Sequence, residues 1–288
     1  MIMDFHAPST IDELSSLLSN SSEKKHLLAG GTDLLVQMQS QIIEPSTVID
    51  IKNISEMMEI KDDVDGFYVG AAVSGMTIIE HQGFSDTWPG VIDGVKLIGS
   101  IQIKGRASMG GNLCNASPAA DSIPAMIASD AKAIILGSKG KRDMLVEDFV
   151  LGPGKNILKS DEVLVGIKFP KKRNNSSGAY LRFTPRTEMD IAVAGVGVNI
   201  SLGDKFQIEH AKVSIGAVAE KALVAEDAAK VLIGKKVDEE VIEKFVSEVR
   251  NLARPIDDKR GTVEFRKQVI GVLAKRALNI ALERISHG

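Results

Sequence analysis

Cysteine is nearly absent from this chain of 288 residues. The single Cys114 rules out an internal disulfide framework, and it equally rules out a cysteine-ligated zinc or iron–sulfur site built by this chain alone. Aromatic residues are scarce too, at 4% with one Trp and two Tyr, and the formal net charge is -3. With no basic stripe interleaved with aromatics, nucleic acid is not an expected partner. The densest basic runs, Lys141-Arg142 and Lys171-Lys172-Arg173, adjoin Gly, Asn or Ser and read as solvated loops. No stretch approaches the roughly 18 apolar residues of a membrane span. The N-terminus has no cationic segment leading into an apolar run, so a cytoplasmic protein is expected.

Several chemical signatures are missing as well. No strand is followed by G-x-G-x-x-G, and Gly195-Val196-Gly197-Val198 lies inside an apolar run where glycine reads as a close-packing device. Gly140-Lys141 and Gly234-Lys235 lack the earlier glycine and the following Ser or Thr of a phosphate-binding P-loop. Ser117 has no G-x-S-x-G context. His6, His26, His81, His210 and His287 are scattered without metal-ligand spacing. Rossmann, nucleotide-hydrolase, serine-hydrolase and metal-site readings all lose their support.

What is present is a pair of glycine-rich segments. One is Ala29-Gly30-Gly31-Thr32-Asp33; the other runs from Ala107-Ser108-Met109-Gly110-Gly111-Asn112 to Ser117-Pro118-Ala119-Ala120-Asp121. Glycine pairs followed by Thr, Asp or Asn let the backbone turn sharply and aim several N–H groups at one anion, because no Cβ blocks the approach. Neither segment carries Lys or Arg between its glycines and its end, so phosphate charge is expected to meet backbone N–H, Thr32, Ser108, Asn112 and a helix dipole. The anion inferred is the pyrophosphate of a flavin dinucleotide.

Around these segments the spacing predicts a helix over 10–18, with Thr10 and Glu13 as a capping box. It further predicts strands at 27–29, 47–51, 67–73, 133–136 and 163–169, and helices at 33–39, 77–81, 90–98 and 121–128. The charged, apolar-free run 170–178 marks a domain boundary. Beyond it, strands at 179–183, 191–201 and 206–217 precede mainly helical sequence from 222 onward. The second domain is expected to be a small antiparallel sheet covered by two or three amphipathic helices.

The stretches Leu27 to Leu34, Ser108 to Asp121, Asp161 to Leu164, Arg186-Thr187-Glu188-Met189-Asp190-Ile191-Ala192 and Arg260 to Arg266 together resemble the FAD-binding medium subunit of molybdenum hydroxylases, the xanthine dehydrogenase and carbon monoxide dehydrogenase group. The likeness covers nearly the whole chain. It implies an α+β architecture: a vanillyl-alcohol-oxidase-type (PCMH-type) FAD-binding domain of two α/β subdomains over 1–172, and a C-terminal domain over 178–286 closing on the flavin. By resemblance, His26, Leu27, Leu28, Ala29, Gly30, Gly31, Thr32, Asp33 and Leu34, with Ser108, Met109, Gly110, Gly111 and Asn112, wrap the pyrophosphate and ribityl chain. Cys114 and Asp121 fall at further flavin contacts, Ile98 and Leu164 at apolar ones. Arg182 stands where many members place Lys.

The resemblance also implies partners: a large molybdopterin-binding subunit and a small subunit with two [2Fe-2S] clusters, assembled as a dimer of heterotrimers. Electrons from hydroxylation on the large subunit cross the clusters to FAD and go on to NAD+, oxygen or a quinone. The chain then needs no catalytic acid–base pair of its own. Two alternatives stay open: a self-sufficient flavin reductase of the same superfamily, and an assembly module without flavin. The branch carrying an extra cysteine-rich insertion is excluded by the single cysteine.

Overall fold

The computed structural model describes residues 3–19, 25–187 and 189–287. Met1, Ile2 and Glu188, which belong to the N-terminal and 186–192 readings above, lie outside them. The chain begins with a small three-stranded parallel sheet in which Thr47–Asp50 lies between Asp4–His6 and Lys25–Leu28. Its crossovers carry the helices Ile11–Ser19 and Leu34–Gln39, as parallel pairing demands. Thr10 Oγ1 accepts the Glu13 N–H at 3.2 Å, but the Glu13 carboxylate takes the Ser9 N–H at 2.7 Å. The reciprocal half of the expected capping box therefore closes one residue earlier than the motif predicts.

A five-stranded antiparallel sheet follows, in the order Ile60–Asp63, Gly66–Gly70, Val163–Pro170, Lys132–Gly137, Gly140–Leu145. Val163–Pro170 returns through the middle after a helical excursion, so its residues are buried on both faces and read as a continuous apolar run. The excursion contains Gly75–Glu80, Gln82–Thr87, Pro89–Lys96, Ile101–Lys104, Met109–Asn115 and Ser122–Ala128. The second glycine segment is thus not a loop: Gly110 and Gly111 form the first turn of Met109–Asn115, and Ser108 caps it by accepting the Gly111 N–H at 3.0 Å.

The C-terminal domain is a four-stranded antiparallel sheet, Ser176–Phe183, Ala194–Leu202, Ile208–Gly216 and Leu223–Val224 in that order. Strands two and three start later than the spacing predicts, because 191–193 form the approach to the cleft described below and Phe206 sits in a turn at φ +58°. Side chains alternate across this sheet with period two. Val196, Val198 and Ile200 join Val213 and Ile215 in a core with the helices Glu226–Leu232, Glu239–Leu252 and Val263–His287. The opposite face carries Gly197 and Gly216, where an added Cβ would meet Pro124 at 2.5 and 2.7 Å. The helix Ser122–Ala128 of the first domain docks directly on that glycine-floored face. On the flank, Arg284 grips Asp93 through two bonds of 2.7 and 3.0 Å and also donates to the Gly178 carbonyl at 2.7 Å.

Candidate functional site

A cleft of about 570 Å³ opens where the parallel sheet, the helical excursion and the C-terminal domain meet. Each wall follows from local chemistry. Gly31 holds φ +77°, which lets the chain leave Lys25–Leu28 and turn into Leu34–Gln39. Gly30 lies against the other segment so closely that a Cβ would sit 1.9 Å from the Arg106 carbonyl oxygen. Among the described residues the amides of Gly30, Gly31 and Thr32 have no acceptor, so the turn presents N–H groups open to a bound group or water. At Gly111, which lines the same cleft, an added Cβ would meet only Ser108 Oγ, at 3.1 Å; the remaining space is open.

Asn112 faces the cleft with its orientation fixed from behind, where the fully buried Ser122 hydroxyl donates to its Oδ1 at 2.7 Å. That bond leaves the amide Nδ2 as the donor available to a ligand. Asp33 caps the short helix Leu34–Gln39 without a side-chain capping bond, and burial pushes its carboxyl above the ordinary range. Asn115 Nδ2 reaches Asp33 Oδ1 at 3.5 Å, tying the two glycine segments together. Burial pushes the Cys114 thiol up to about 12, so it stays protonated and unreactive.

The strongest electrostatic feature is Asp121. The residue is 7% exposed, and burial pushes its carboxyl up to about 6 against the opposing pull of Arg182 and Tyr180. Arg182 Nη1 donates to Oδ2 at 2.5 Å and the Tyr180 hydroxyl donates to Oδ1 at 2.9 Å. Both donors come from the C-terminal domain, so this cluster closes one end of the cleft across the domain boundary.

Of the residues singled out from the sequence, Leu27, Ala29, Gly30, Gly31, Thr32, Asp33, Leu34, Ile98, Ser108, Gly111, Asn112, Cys114, Asp121 and Arg182 line this cleft. The others sit elsewhere. Met109 and Leu164 are core residues. Gly110 is required by the Ala71 backbone, whose carbonyl oxygen a Cβ would meet at 2.4 Å. His26 and Leu28 occupy the strand Lys25–Leu28 at positions that do not line the cleft, and the buried His26 Nδ1 has no partner. The structure adds Leu97, Gly99 and Ile103 around Ile98, and Met189, Asp190 and Ile191 from the second domain. Met189 has φ +51°, an outlier that no sequence pattern announces. Arg106 spans the two segments by donating from Nε to the Gly30 carbonyl at 3.4 Å, so a cation stands beside the cradle although none lies within it.

Residues 1–172 match the family described as the FAD binding domain in molybdopterin dehydrogenase. The chain belongs to the FAD-binding subunits of molybdenum hydroxylases. Residues 179–281 of this flavoprotein subunit match the CO dehydrogenase flavoprotein C-terminal domain. It is 28% identical over 281 residues to the carbon monoxide dehydrogenase medium chain of Hydrogenophaga pseudoflava, covering 98% of this chain and 97% of that one. To the xanthine dehydrogenase FAD-binding subunit of Escherichia coli O157:H7 it is 28% identical over 280 residues, with 96% and 95% covered. The solved structure of the Hydrogenophaga pseudoflava carbon monoxide dehydrogenase lacking the Mo-pyranopterin moiety superimposes with a TM-score of 0.93 at 29% identity, over 99% of each chain.

FAD is therefore this subunit's cofactor, and the cleft fits it. Acceptor-free amides at Gly30 to Thr32 suit a diphosphate, and Gly111 leaves room where a side chain would intrude. Among the described residues no group of three or more His, Cys, Asp or Glu could hold a metal ion. No helix among them is long and apolar enough to cross a membrane.

Proposed function

We propose that this subunit is the electron outlet of a molybdenum hydroxylase: electrons arrive from a [2Fe-2S] partner subunit, pass through FAD held in the cleft, and leave to NAD+, oxygen or a quinone. Bound FAD supplies the redox chemistry. The amides of Gly30, Gly31 and Thr32 hold its diphosphate, with Ser108, Gly111 and Asn112 completing the cradle from the opposite wall. Ile98 supplies an apolar contact, and Asp121 with Arg182 sets the charge at the far end. Residues 1–172 act as the flavin-binding domain and 178–286 as the domain that closes over it. A large molybdopterin-binding subunit and a small [2Fe-2S] subunit complete the assembly, a dimer of heterotrimers in the cytoplasm.

The observation that carries this reading is the run of acceptor-free amides at Gly30 to Thr32, facing Ser108, Gly111 and Asn112 across a cleft at a domain boundary, in a chain that covers 97% of the Hydrogenophaga pseudoflava medium chain. A neighbouring cavity of about 690 Å³ shares Ser117, Ala119 and Ile191 with the cleft. The test is rapid-scan absorbance of the purified chain, alone and reconstituted with its partner subunits. Flavin bleaching by the hydroxylase substrate only in the reconstituted complex supports the relay. Turnover by the isolated chain with a nicotinamide and a small substrate overturns it in favour of a self-sufficient reductase.

A further inference from the structure

The Gly195-Val196-Gly197 run contains two glycines with different duties. Gly197 is emptied for the Pro124 carbonyl, but a Cβ at Gly195 would lie 2.4 Å from the Tyr180 hydroxyl and 3.1 Å from its Cζ. Gly195 faces Arg182 in the strand register, and the Tyr180 ring leans across it. The space left by the missing side chain is the space the phenol occupies. From there the hydroxyl reaches Asp121 Oδ1, while Arg182, two residues along the same strand face, takes Oδ2.

We propose that Tyr180 is a positioning residue for the flavin cleft: its hydroxyl fixes the orientation and charge of the Asp121 carboxylate, and Gly195 exists to admit it. The proposal rests on the reading that Asp121 faces the bound flavin. With both donors in place, each carboxylate oxygen is held by the protein and the Asp121–Arg182 pair is neutral. Removing the phenol leaves Oδ1 short of a donor in a buried site, which raises the carboxyl's proton affinity. A protonated Asp121 leaves the Arg182 charge unbalanced beside the cofactor, which favours added electrons there.

Other titratable groups lie on the elements around Asp121. Cys114, on the helix Met109–Asn115, stays a thiol. Asp93, on the helix Pro89–Lys96, accepts the Tyr180 N–H at 3.1 Å and is paired with Arg284. Asp190, on the loop after Ser176–Phe183, is held low by the Ile191 backbone amide and Arg186. Asp33, whose carboxyl burial also raises, stands on the opposite wall, and the strand Ala194–Leu202 brings Gly195 against Tyr180.

The experiment uses the FAD-loaded chain in its native complex. With 3-fluorotyrosine incorporated into this chain alone before assembly with unlabelled partner subunits, its two tyrosines give two fluorine resonances, and Tyr68 serves as an internal reference since its hydroxyl donates to the Glu56 and Val165 carbonyls. The Tyr180 resonance is expected to titrate near pH 6 with Asp121, to stop doing so in Asp121→Asn, and to leave Tyr68 unmoved. In Tyr180→Phe, the break in flavin midpoint potential against pH moves upward while FAD content is unchanged. A Tyr180 resonance that stays flat across this range, or a Tyr180→Phe potential curve that superimposes on the parent's, overturns the proposal. If Tyr180→Phe does not fold, the fluorine titration of the parent decides alone. Absence of FAD from the parent chain is a different result, and it strikes the cofactor assignment rather than Tyr180.

Discussion

Replacing Gly30 by alanine tests the cradle at its tightest point. A Cβ there would lie 1.9 Å from the Arg106 carbonyl oxygen, 2.5 Å from the Arg106 carbonyl carbon and 3.0 Å from the Ala107 nitrogen. All three are backbone atoms, so no rotamer change relieves the overlap. The two glycine segments must part by about 1 Å before the closest contact becomes tolerable, and overpacking of this kind costs about 1–3 kcal/mol. In the proposed binding mode FAD bridges these segments, so strain relieved by opening the cleft is set against binding. At about 1.4 kcal/mol per tenfold, the expected loss of FAD affinity is roughly 5- to 140-fold. Flavin fluorescence quenching on titration into the deflavinated chain measures it, with circular dichroism to verify the fold. Gly152→Ala is the matched control, because a Cβ there meets nothing within 4 Å. Parent-like affinity in a folded Gly30→Ala protein would falsify the claim that the two segments form one cradle.

Three further outcomes are expected. Arg284→Met removes both bonds to Asp93 and the bond to Gly178, and should cost about 1–3 kcal/mol, seen as a fall of several degrees in Tm; an unchanged Tm would show that the flank clamp adds nothing. Asp130 is burdened by burial, yet Lys212 at 3.0 Å and Arg173 at 3.1 Å hold its carboxyl well below the usual range. Its stabilisation is therefore present above the unfolded value of about 4 and is lost as pH falls below it. Lys212→Met, which also frees Glu147, should move the acid unfolding midpoint upward, and an unmoved midpoint would refute the network. Asp121 has the opposite sign: with its folded value raised to about 6 by burial, its contribution is fullest below about pH 4 and declines until about pH 6. The difference in unfolding free energy between parent and Asp121→Asn should fall across that window, by an amount on the order of 3 kcal/mol, and stay flat above it. A difference independent of pH would contradict the buried, titrating carboxylate.

The sequence made some of this legible because the signals were local. Period-two alternation in the second domain and the turn at Gly30-Gly31 both arise within a few residues, and both are found where the pattern puts them. Gly110 and Gly111 were adjacent and alike in sequence, yet one is needed by the Ala71 backbone and the other opens on the cleft. Nothing in the sequence distinguishes a glycine that opens on a cleft from one required by a neighbouring backbone. The helices Gln82–Thr87 and Ile101–Lys104 are too short for helical periodicity to register. Met189 to Ile191 line the cleft only because the C-terminal sheet docks beside Asp121, and that proximity is a property of tertiary structure. The second face of that sheet packs on the first domain, a contact that no pattern within the second domain announces.

That docking face explains why binding and domain assembly cannot be separate properties in this subunit. The helix Ser122–Ala128 begins at Asp121, whose carboxylate is held by Tyr180 and Arg182, and at Ser122, whose hydroxyl orients Asn112. Two residues further on, Pro124 sits over Gly197 and Gly216 of the C-terminal sheet. One short, fully buried helix thus carries the polar contacts of the cleft at its start and the seat of the second domain in its middle. Buried elements with close backbone contacts move as units, since interiors are packed too densely to absorb independent shifts. A displacement of the sheet that unseats Pro124 must therefore also displace Asp121 and the support of Asn112. Flavin that binds the docked arrangement better stabilises docking by the same free energy with which docking tightens flavin.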